Sequence, residues 1–435
     1  MKHNIVDKSV IDEMLMKSNI TKMEDASIRD ITKTANLIEK HTGISFIRME
    51  MGVPGIKPHP IGTAAEIRAL ESGVAQFYPM LEGYSGLSLE ASKFIKNFMD
   101  IDIEPGSIVP TVGGMQGSYV AFMATTACHT GRDTVLFIDP GFPVQKTQLE
   151  VMGRPYETFD IYEFRGEKLR AKLESYLQKG NIASIVYSNP NNPAWICLTE
   201  EELKIIAELA DKYDVIVIED LAYFAMDFRK DLSKPGLPPF QPTIAKYTKN
   251  YIFIISSSKL FSYAGQRLGL VCISDALFHR KYEGLKKRFN ADELGYTIVY
   301  KIIYTLSSGT AHSPQYALAA IFKAANEGKM NITKDASEYR DRAAAMKKIF
   351  LDAGFSLVYD KDGEEAIGDG FYFTISYPGF SGAELCKELM FYGISSIPLK
   401  TTGSQCEGLR VCVSQIGMEL MSTLKERVER FKSDH

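Results

Sequence analysis

Tyr251-Ile-Phe-Ile-Ile-Ser-Ser-Ser-Lys259 sets an apolar, β-branched and aromatic run against a close of small hydroxyls and a lysine, and Arg267 follows eight positions later. That composition is the composition of a buried strand. A lysine delivered by the end of such a strand arrives in a protein-lined crevice rather than in bulk water. There an ammonium is readily deprotonated, and the free amine can form a Schiff base with a carbonyl. Taken alone, Lys259 also fits an ordinary surface lysine at a strand terminus. The reading therefore turns on what the other strand ends bring.

The pattern repeats outward from this strand. Between about residues 107 and 275, apolar runs at 134–138, 182–187, 215–218, 251–255 and 268–273 alternate with amphipathic stretches. In the stretch 200–213, Leu203, Ile206, Ala207 and Ala210 share one helical face, and Thr199 with Glu202 forms a capping box at its start. Strands alternating with helices imply βαβ units and an α/β fold, with a largely parallel sheet covered on both faces. The prolines of Ser233-Lys-Pro-Gly-Leu-Pro-Pro-Phe240 mark a loop. From Ser337 the character changes. A charged helix at 338–353, alternating segments at 370–376, 394–397 and 409–414, and a terminal helix from Met418 predict a smaller α+β lobe. The helical, polar N-terminus is expected to pack on that lobe. The division is then 1–60 for the N-terminal segment, 61–325 for the large domain and 326–435 for the small one.

A chain of 435 residues suits two or three lobes rather than one small core. Its net charge of -4 comes with no arginine-rich block, and Lys286-Lys287-Arg288 reads as a solvated helix face, so no nucleic-acid partner is expected. The opening Met1-Lys-His-Asn-Ile-Val-Asp-Lys8 lacks the apolar core of a signal peptide, and no run is long enough to span a bilayer, so no membrane partner is expected either. The six cysteines have no CxxC spacing and read as reduced residues of a cytoplasmic protein. The seven histidines lack the paired spacing of a zinc site, and no metal is expected. In Asp360-Lys-Asp-Gly-Glu-Glu365 the glycine stands fourth rather than sixth, as a calcium loop would need, and Phe371 replaces the closing glutamate. The stretch reads as a solvated turn.

Ligands of open α/β sheets bind at the carboxyl ends of the strands. Here the first run ends in Asp139-Pro-Gly-Phe-Pro143 and the second in Ser188-Asn-Pro-Asn-Asn-Pro193. The third ends in Glu219-Asp-Leu-Ala-Tyr223 and the fourth in Ser256-Ser-Ser-Lys259. An aromatic ring, an amide, a carboxylate, a phenol, hydroxyls and an amine would thus meet in one crevice. Upstream, Thr111-Val-Gly-Gly-Met-Gln-Gly117 runs into a helical stretch, where backbone N–H groups and the helix dipole favour an anion. It is neither a Walker A loop nor a GxGxxG fingerprint. One ligand needs all of these at once. Pyridoxal 5′-phosphate (PLP) has an aldehyde for a lysine, a phosphate for an anion site, a ring for stacking and a ring nitrogen for a carboxylate.

From about Met51 to Ser414 the sequence resembles class I/II aminotransferases, the aspartate-aminotransferase-like branch of fold type I PLP-dependent enzymes. Ser256-Ser-Ser-Lys259 with Gly265, Arg267 and Gly269 matches the family's S-x-S-K-x5-G-x-R-x-G signature. The resemblance implies Lys259 as the lysine bound to the cofactor, with Ser256, Ser258 and Arg267 on its phosphate. Asp220-Leu-Ala-Tyr223 is similar to D-x-x-Y, which gives Asp220 the pyridine nitrogen and Tyr223 the ring oxygen. Asn189-Pro-Asn-Asn-Pro193 is similar to NPxNP, which gives Asn192 the amide role beside that oxygen and beside substrate. Phe142 falls where an aromatic stacks on the ring. Gly114, Met115 and Gln116 fall on the phosphate turn. Tyr78, five residues before Gly83, matches a tyrosine that reaches the neighbouring subunit's phosphate, which implies a homodimer with shared active sites. Leu409-Arg410-Val411 resembles the C-terminal strand whose arginine takes the substrate α-carboxylate. Gly52, in Met51-Gly-Val-Pro54, resembles the N-terminal G-x-P that lies against substrate. The architecture implied is a large PLP-binding domain with a mostly parallel seven-stranded sheet, plus the smaller α+β domain.

One departure stands out. Where the family continues Thr-Gly after NPxNP, this chain has Ala194-Trp195, and its only tryptophan reads as packing beneath the loop. The activity implied is amino transfer from an α-amino acid to a 2-oxo acid by a ping-pong route, with Lys259, Asp220 and Tyr223 catalytic. The same scaffold also hosts carbon–sulfur β-lyases, and a non-catalytic PLP-binding protein is a further alternative.

Overall fold

The computed structural model of the chain describes residues 3–435. Met1 and Lys2, which open the polar N-terminus, lie outside the described residues. The chain begins with helices Lys8–Lys17 and Ile28–Thr42, the second capped reciprocally by Ser27 and Asp30. Strand β1 (Ile47–Arg48) follows.

The main sheet comprises β2 (Ile108–Val112), β3 (Thr134–Asp139), β4 (Tyr156–Asp160), β5 (Ile182–Ser188), β6 (Ile216–Leu221), β7 (Tyr251–Ser256) and β8 (Leu268–Ile273). Their spatial order is β2-β8-β7-β6-β5-β3-β4, and β8 runs antiparallel to both of its neighbours while the other pairings are parallel. Every residue of β3, β7 and β8 is buried, as expected of central strands covered on both faces. Apolar clusters lie on both sides of the sheet, one through Leu136, Ile185, Val217 and Phe253, the other through Val135, Ile218, Ile254 and Val271. Alternation along each strand divides these residues between the faces.

The five expected runs are all strands. Two further strands, β2 and β4, were not among the runs read from the sequence. Helix Glu200–Tyr213 carries the Thr199/Glu202 capping box as expected. The helix after the Gly-Gly turn starts earlier than anticipated, at Gly113 itself.

The C-terminal part builds a second sheet from β9 (Ser356–Leu357), β12 (Tyr372–Ser376), β14 (Ile397–Pro398) and β15 (Leu409–Cys412), in the order β14-β15-β12-β9 and antiparallel throughout. β10 (Lys361–Asp362) and β11 (Glu365–Ala366) form a separate hairpin. The expected segment 394–397 divides at Ser396, with β13 (Ile394–Ser395) pairing with β1 and β14 joining the C-terminal sheet. This pairing, with Ile5 and Val6 N–H donating to Phe391 O, lays the N-terminal segment on the C-terminal part.

The expectation of a solvated turn at 360–365 needs correction. Gly363 does turn the hairpin at φ +67, and Asp360, Glu364 and Glu365 are exposed. Asp362, however, is buried. Its carboxylate accepts from Arg165 at 2.9 Å, Arg229 at 2.7 Å and the Cys197 N–H at 3.1 Å. Two guanidiniums and an amide supply what water would, so the carboxylate tolerates burial.

All six cysteines are free thiols. Among the described residues, no helix is long and apolar enough to cross a membrane.

Candidate active site

The carboxyl edge of the main sheet gathers the site. β2 ends at Val112, opposite Leu268 at the start of β8, so Gly113 and Arg267 emerge side by side. Gly113 has φ +68, and a Cβ there would stand 2.5 Å from Arg267 Nη2. A Cβ on Gly269 would come within 2.8 Å of Gly113 C and Gly114 N. These two glycines let the guanidinium and β8 lie against the turn. The first N–H groups of helix Gly113–Cys128 have no intrahelical acceptor. Gln116 spends its carboxamide locally, accepting from Val112 N–H and donating to Ser307 Oγ, both at 2.8 Å. Ser256 Oγ, beside Gly114, accepts from the Ser258 N–H at 3.2 Å. Backbone donors from Gly114, Met115 and Gln116, two serine hydroxyls and Arg267 make an arrangement suited to a phosphate-sized anion.

Lys259 leaves β7 three residues beyond Ser256. Its Nζ donates to Gly52 O and lies 5.6 Å from the centroid of the Phe371 ring. Burial lowers its pKa to about 8, and the positive charges of Arg410 and Arg267 act in the same direction. Asp220, paired with Ser188 and Ile254 across β6, accepts from the Ala222 N–H at 3.0 Å and from Gln145 Nε2 at 2.9 Å. Burial raises its pKa to about 6, against the pull of those hydrogen bonds and of Lys259. A nearby cation would favour its carboxylate form.

The third group comes from the C-terminal sheet. Arg410 on β15 is 1% exposed. It donates through Nη1 to Asn192 Oδ1 at 3.3 Å and through Nη2 to Glu50 O, while its Nε has no partner. A buried guanidinium holding an unspent N–H is built to receive an anion. Tyr372, on the neighbouring β12, places its ring 4.8 Å from Arg410 Cζ and its hydroxyl 2.9 Å from Tyr223 Oη. A Cβ on Gly52 would collide with that Tyr372 hydroxyl, so a glycine here leaves the hydroxyl its place.

The structure brings Lys259, Asp220, Tyr223, Asn192, Arg410 and Gly52 together, and the anion turn with Ser256, Ser258 and Arg267 beside them. Phe142 is half-buried at the carboxyl end of β3, one turn before Gln145. Tyr78 stands apart, 90% exposed and next to the exposed Phe77 and Met80. Trp195 is fully buried as expected, at φ +64, with its ring packed against Gly370 and its centroid 5.6 Å from that of Tyr223. Sequence reasoning missed Gln145 and Tyr372. Gln145 could have been found from its i+3 spacing to Phe142, one helical turn into the crevice. Tyr372 had no signal short of the β12–β15 register.

A mixed α/β sheet with an amine, a buried carboxylate, a phenol and an anion turn along one edge defines the fold type I architecture. The sequence profile described as aminotransferase class I and II matches residues 55–428, and the chain belongs to that family. It is 25% identical over 264 residues to the probable aspartate aminotransferase of Methanocaldococcus jannaschii, covering 60% of this chain and 64% of that one. It is 28% identical over 253 residues to the probable N-acetyl-LL-diaminopimelate aminotransferase of Bacillus subtilis, covering 58% and 60%. The chain thus spans about three-fifths of the length of these curated relatives. Among solved structures, it superposes on the alanine aminotransferase from Pyrococcus furiosus with TM-score 0.76 at 19% identity, covering 96% of this chain and 99% of that one. For the Thermus thermophilus aspartate aminotransferase with maleate the TM-score is 0.74 at 15% identity, with 95% and 97% covered.

Proposed function

We propose that the protein is a PLP-dependent aminotransferase acting on an α-amino acid and a 2-oxo acid. The observation that carries this reading is a pair of groups in one crevice: a dehydrated amine on Lys259 and a buried Arg410 whose Nε is unspent. The residues fit the cofactor. Lys259 would hold its aldehyde, Asp220 with Gln145 its ring nitrogen, Tyr223 and Asn192 its ring oxygen, Phe142 its face. The turn at Gly114, Met115 and Gln116, with Ser256, Ser258 and Arg267, would hold its phosphate. When bound, PLP supplies an electrophilic carbon and a ring that withdraws electrons from the substrate's Cα.

In this reading Arg410 takes the substrate α-carboxylate bidentately, and Asn192 keeps the guanidinium in plane. Gly52 leaves room against the substrate. The Lys259 amine holds and moves the proton at Cα, a task suited to a base whose pKa is lowered toward neutrality. The Asp220 carboxylate keeps the ring nitrogen protonated. One oxo acid leaves before the second enters, so initial-rate plots in two substrates run parallel.

The reading extends to a homodimer with shared sites. Exposed Phe77, Tyr78 and Met80 form an apolar patch that a second copy would cover. It includes the three-part division at 1–60, 61–325 and 326–435, supported by helix His312–Asn326 packing on helices Pro60–Glu71 and Ser85–Met99 of the main part. A cytoplasmic location is supported by the six free thiols.

The test is to load purified protein with PLP, follow its visible absorbance in wild type and Lys259→Ala, and assay amino donors with 2-oxoglutarate or pyruvate. Absorbance that depends on Lys259, with product that depends on oxo acid, is expected. Absorbance unchanged in Lys259→Ala refutes the cofactor reading. Product released without any oxo acid refutes amino transfer in favour of β-elimination.

A further inference from the structure

Tyr372 joins the C-terminal sheet to the main sheet inside the crevice, and no role above uses it. We infer that Tyr372 is a positioning residue whose hydroxyl holds the Tyr223 phenol so that the phenol donates its hydrogen bond to the ring oxygen of PLP. The inference rests on the cofactor reading proposed above.

The Tyr223 hydroxyl donates to the Tyr372 hydroxyl, 2.9 Å away. A phenol has one proton to donate and two lone pairs to accept with. Once Tyr223 donates its O–H hydrogen bond to a ring oxygen, its remaining relation to Tyr372 is as acceptor, and Tyr372 becomes the donor. Tyr372 is free for that, because among the described residues its hydroxyl makes no other hydrogen bond. It also has little freedom to turn away. The ring is buried, with the centroids of Trp195, Tyr223 and Phe371 at 6.3, 5.4 and 5.1 Å, and Gly52 stands directly behind its hydroxyl.

The position is set by register. Tyr372 pairs with Cys412 across β12 and β15, and Thr374 pairs with Arg410. The strand pair that presents the carboxylate-binding arginine therefore also presents the hydroxyl that steers Tyr223. The charged and titratable groups facing this hydroxyl pair are Arg410 and Cys412 from β15, and Lys259 beyond β7, which meets the Tyr372 hydroxyl at Gly52. None of them replaces Tyr372 as a donor to Tyr223.

A phenol that accepts a hydrogen bond is a stronger donor. A stronger donor at the ring oxygen favours that oxygen's anionic form, so the Lys259–cofactor linkage gives up its proton at a lower pH. Holoenzymes of wild type, Tyr372→Phe, Tyr223→Phe and the double variant are titrated by the visible absorbance of bound PLP. Tyr372→Phe is expected to raise the midpoint by on the order of a few tenths of a pH unit, the share by which one bond strengthens the next. Tyr223→Phe is expected to raise it further, and adding Tyr372→Phe to Tyr223→Phe to do nothing more. A Tyr372→Phe midpoint equal to wild type overturns the inference. So does an equal shift in the Tyr223→Phe background, since packing alone would then account for it. A wild-type chain without Lys259-dependent absorbance overturns the cofactor reading instead.

Discussion

Lys259→Met should make the cofactor-free chain more stable, which is unusual for a change in the middle of a site. The substitution removes the amine and keeps a side chain of similar length. Burial holds the amine's pKa at about 8 against an ordinary 10.5. At about 1.4 kcal/mol per unit, that drop corresponds to roughly 3 kcal/mol of penalty for the protonated residue at pH 7. Loss of the hydrogen bond to Gly52 O returns about 1 kcal/mol, leaving an expected gain of about 2 kcal/mol. The sign follows from a folded-state pKa that is depressed. The penalty is whole below about pH 8, fades as pH rises from 8 to 10.5, and is gone above that. Urea midpoints of the two cofactor-free chains measure it, with Lys259→Met ahead at pH 7 and no longer ahead at pH 10.5. Equal midpoints at pH 7, or an advantage undiminished at pH 10.5, would refute a dehydrated amine. The same penalty serves function in the proposed reading. With a pKa of about 8, roughly a tenth of the amine is unprotonated at pH 7, some hundreds of times more than for an ordinary lysine.

Three further outcomes follow from the geometry. Trp195 is the only tryptophan, fully buried and 5.6 Å from the Tyr223 ring, so its emission should be blue-shifted and should fall as PLP is titrated in. Emission indifferent to the cofactor would separate Trp195 from its place. Arg410→Met should lower kcat/KM roughly a hundredfold, mostly through KM, while PLP binding by absorbance is retained. Asp362→Ala leaves Arg165 and Arg229 facing each other without their shared carboxylate, and thermal denaturation should reveal a loss of about 3 kcal/mol.

The sheet was legible where composition declares burial. Thr134–Asp139, Ile182–Ser188, Tyr251–Ser256 and Leu268–Ile273 are apolar nearly throughout, as central strands must be. Edge strands carry no such mark. β4 reads Tyr-Glu-Thr-Phe-Asp and pairs with β3 alone, and β2 contains Pro110, which argues against a strand in any central position. Site residues at the ends of legible strands could be placed by the same logic. Gln145 was placeable from its helical spacing to Phe142 but was missed, whereas Tyr372 was not placeable, because it reaches the crevice only through the pairing of β12 with β15. Asp362 failed for a different reason. A run of acidic residues around a glycine describes a solvated turn unless arginines come to meet it, and Arg165 and Arg229 do so from nearly 200 and more than 130 positions away.

The single antiparallel strand explains how so short a signature serves two ends of a ligand. In a purely parallel sheet, the chain leaving β7 at Lys259 would need a crossover helix before returning to the same edge. Here it turns within eight residues and re-enters as β8 in the opposite sense, so Arg267, standing just before β8, is at the edge that Lys259 has just left. β2 is antiparallel to β8 and therefore ends at that edge too, bringing Gly113 against Arg267. Close approach then requires that neither Gly113 nor Gly269 carry a Cβ, and neither does. The amine and the anion turn are thus fixed relative to each other by paired backbone rather than by loops, which is the rigidity that a small ligand gripped at both ends demands. Arg410 and Tyr372 come instead from a second sheet. Their hydrogen bonds to Asn192 and Tyr223 join that sheet to the first across the same crevice.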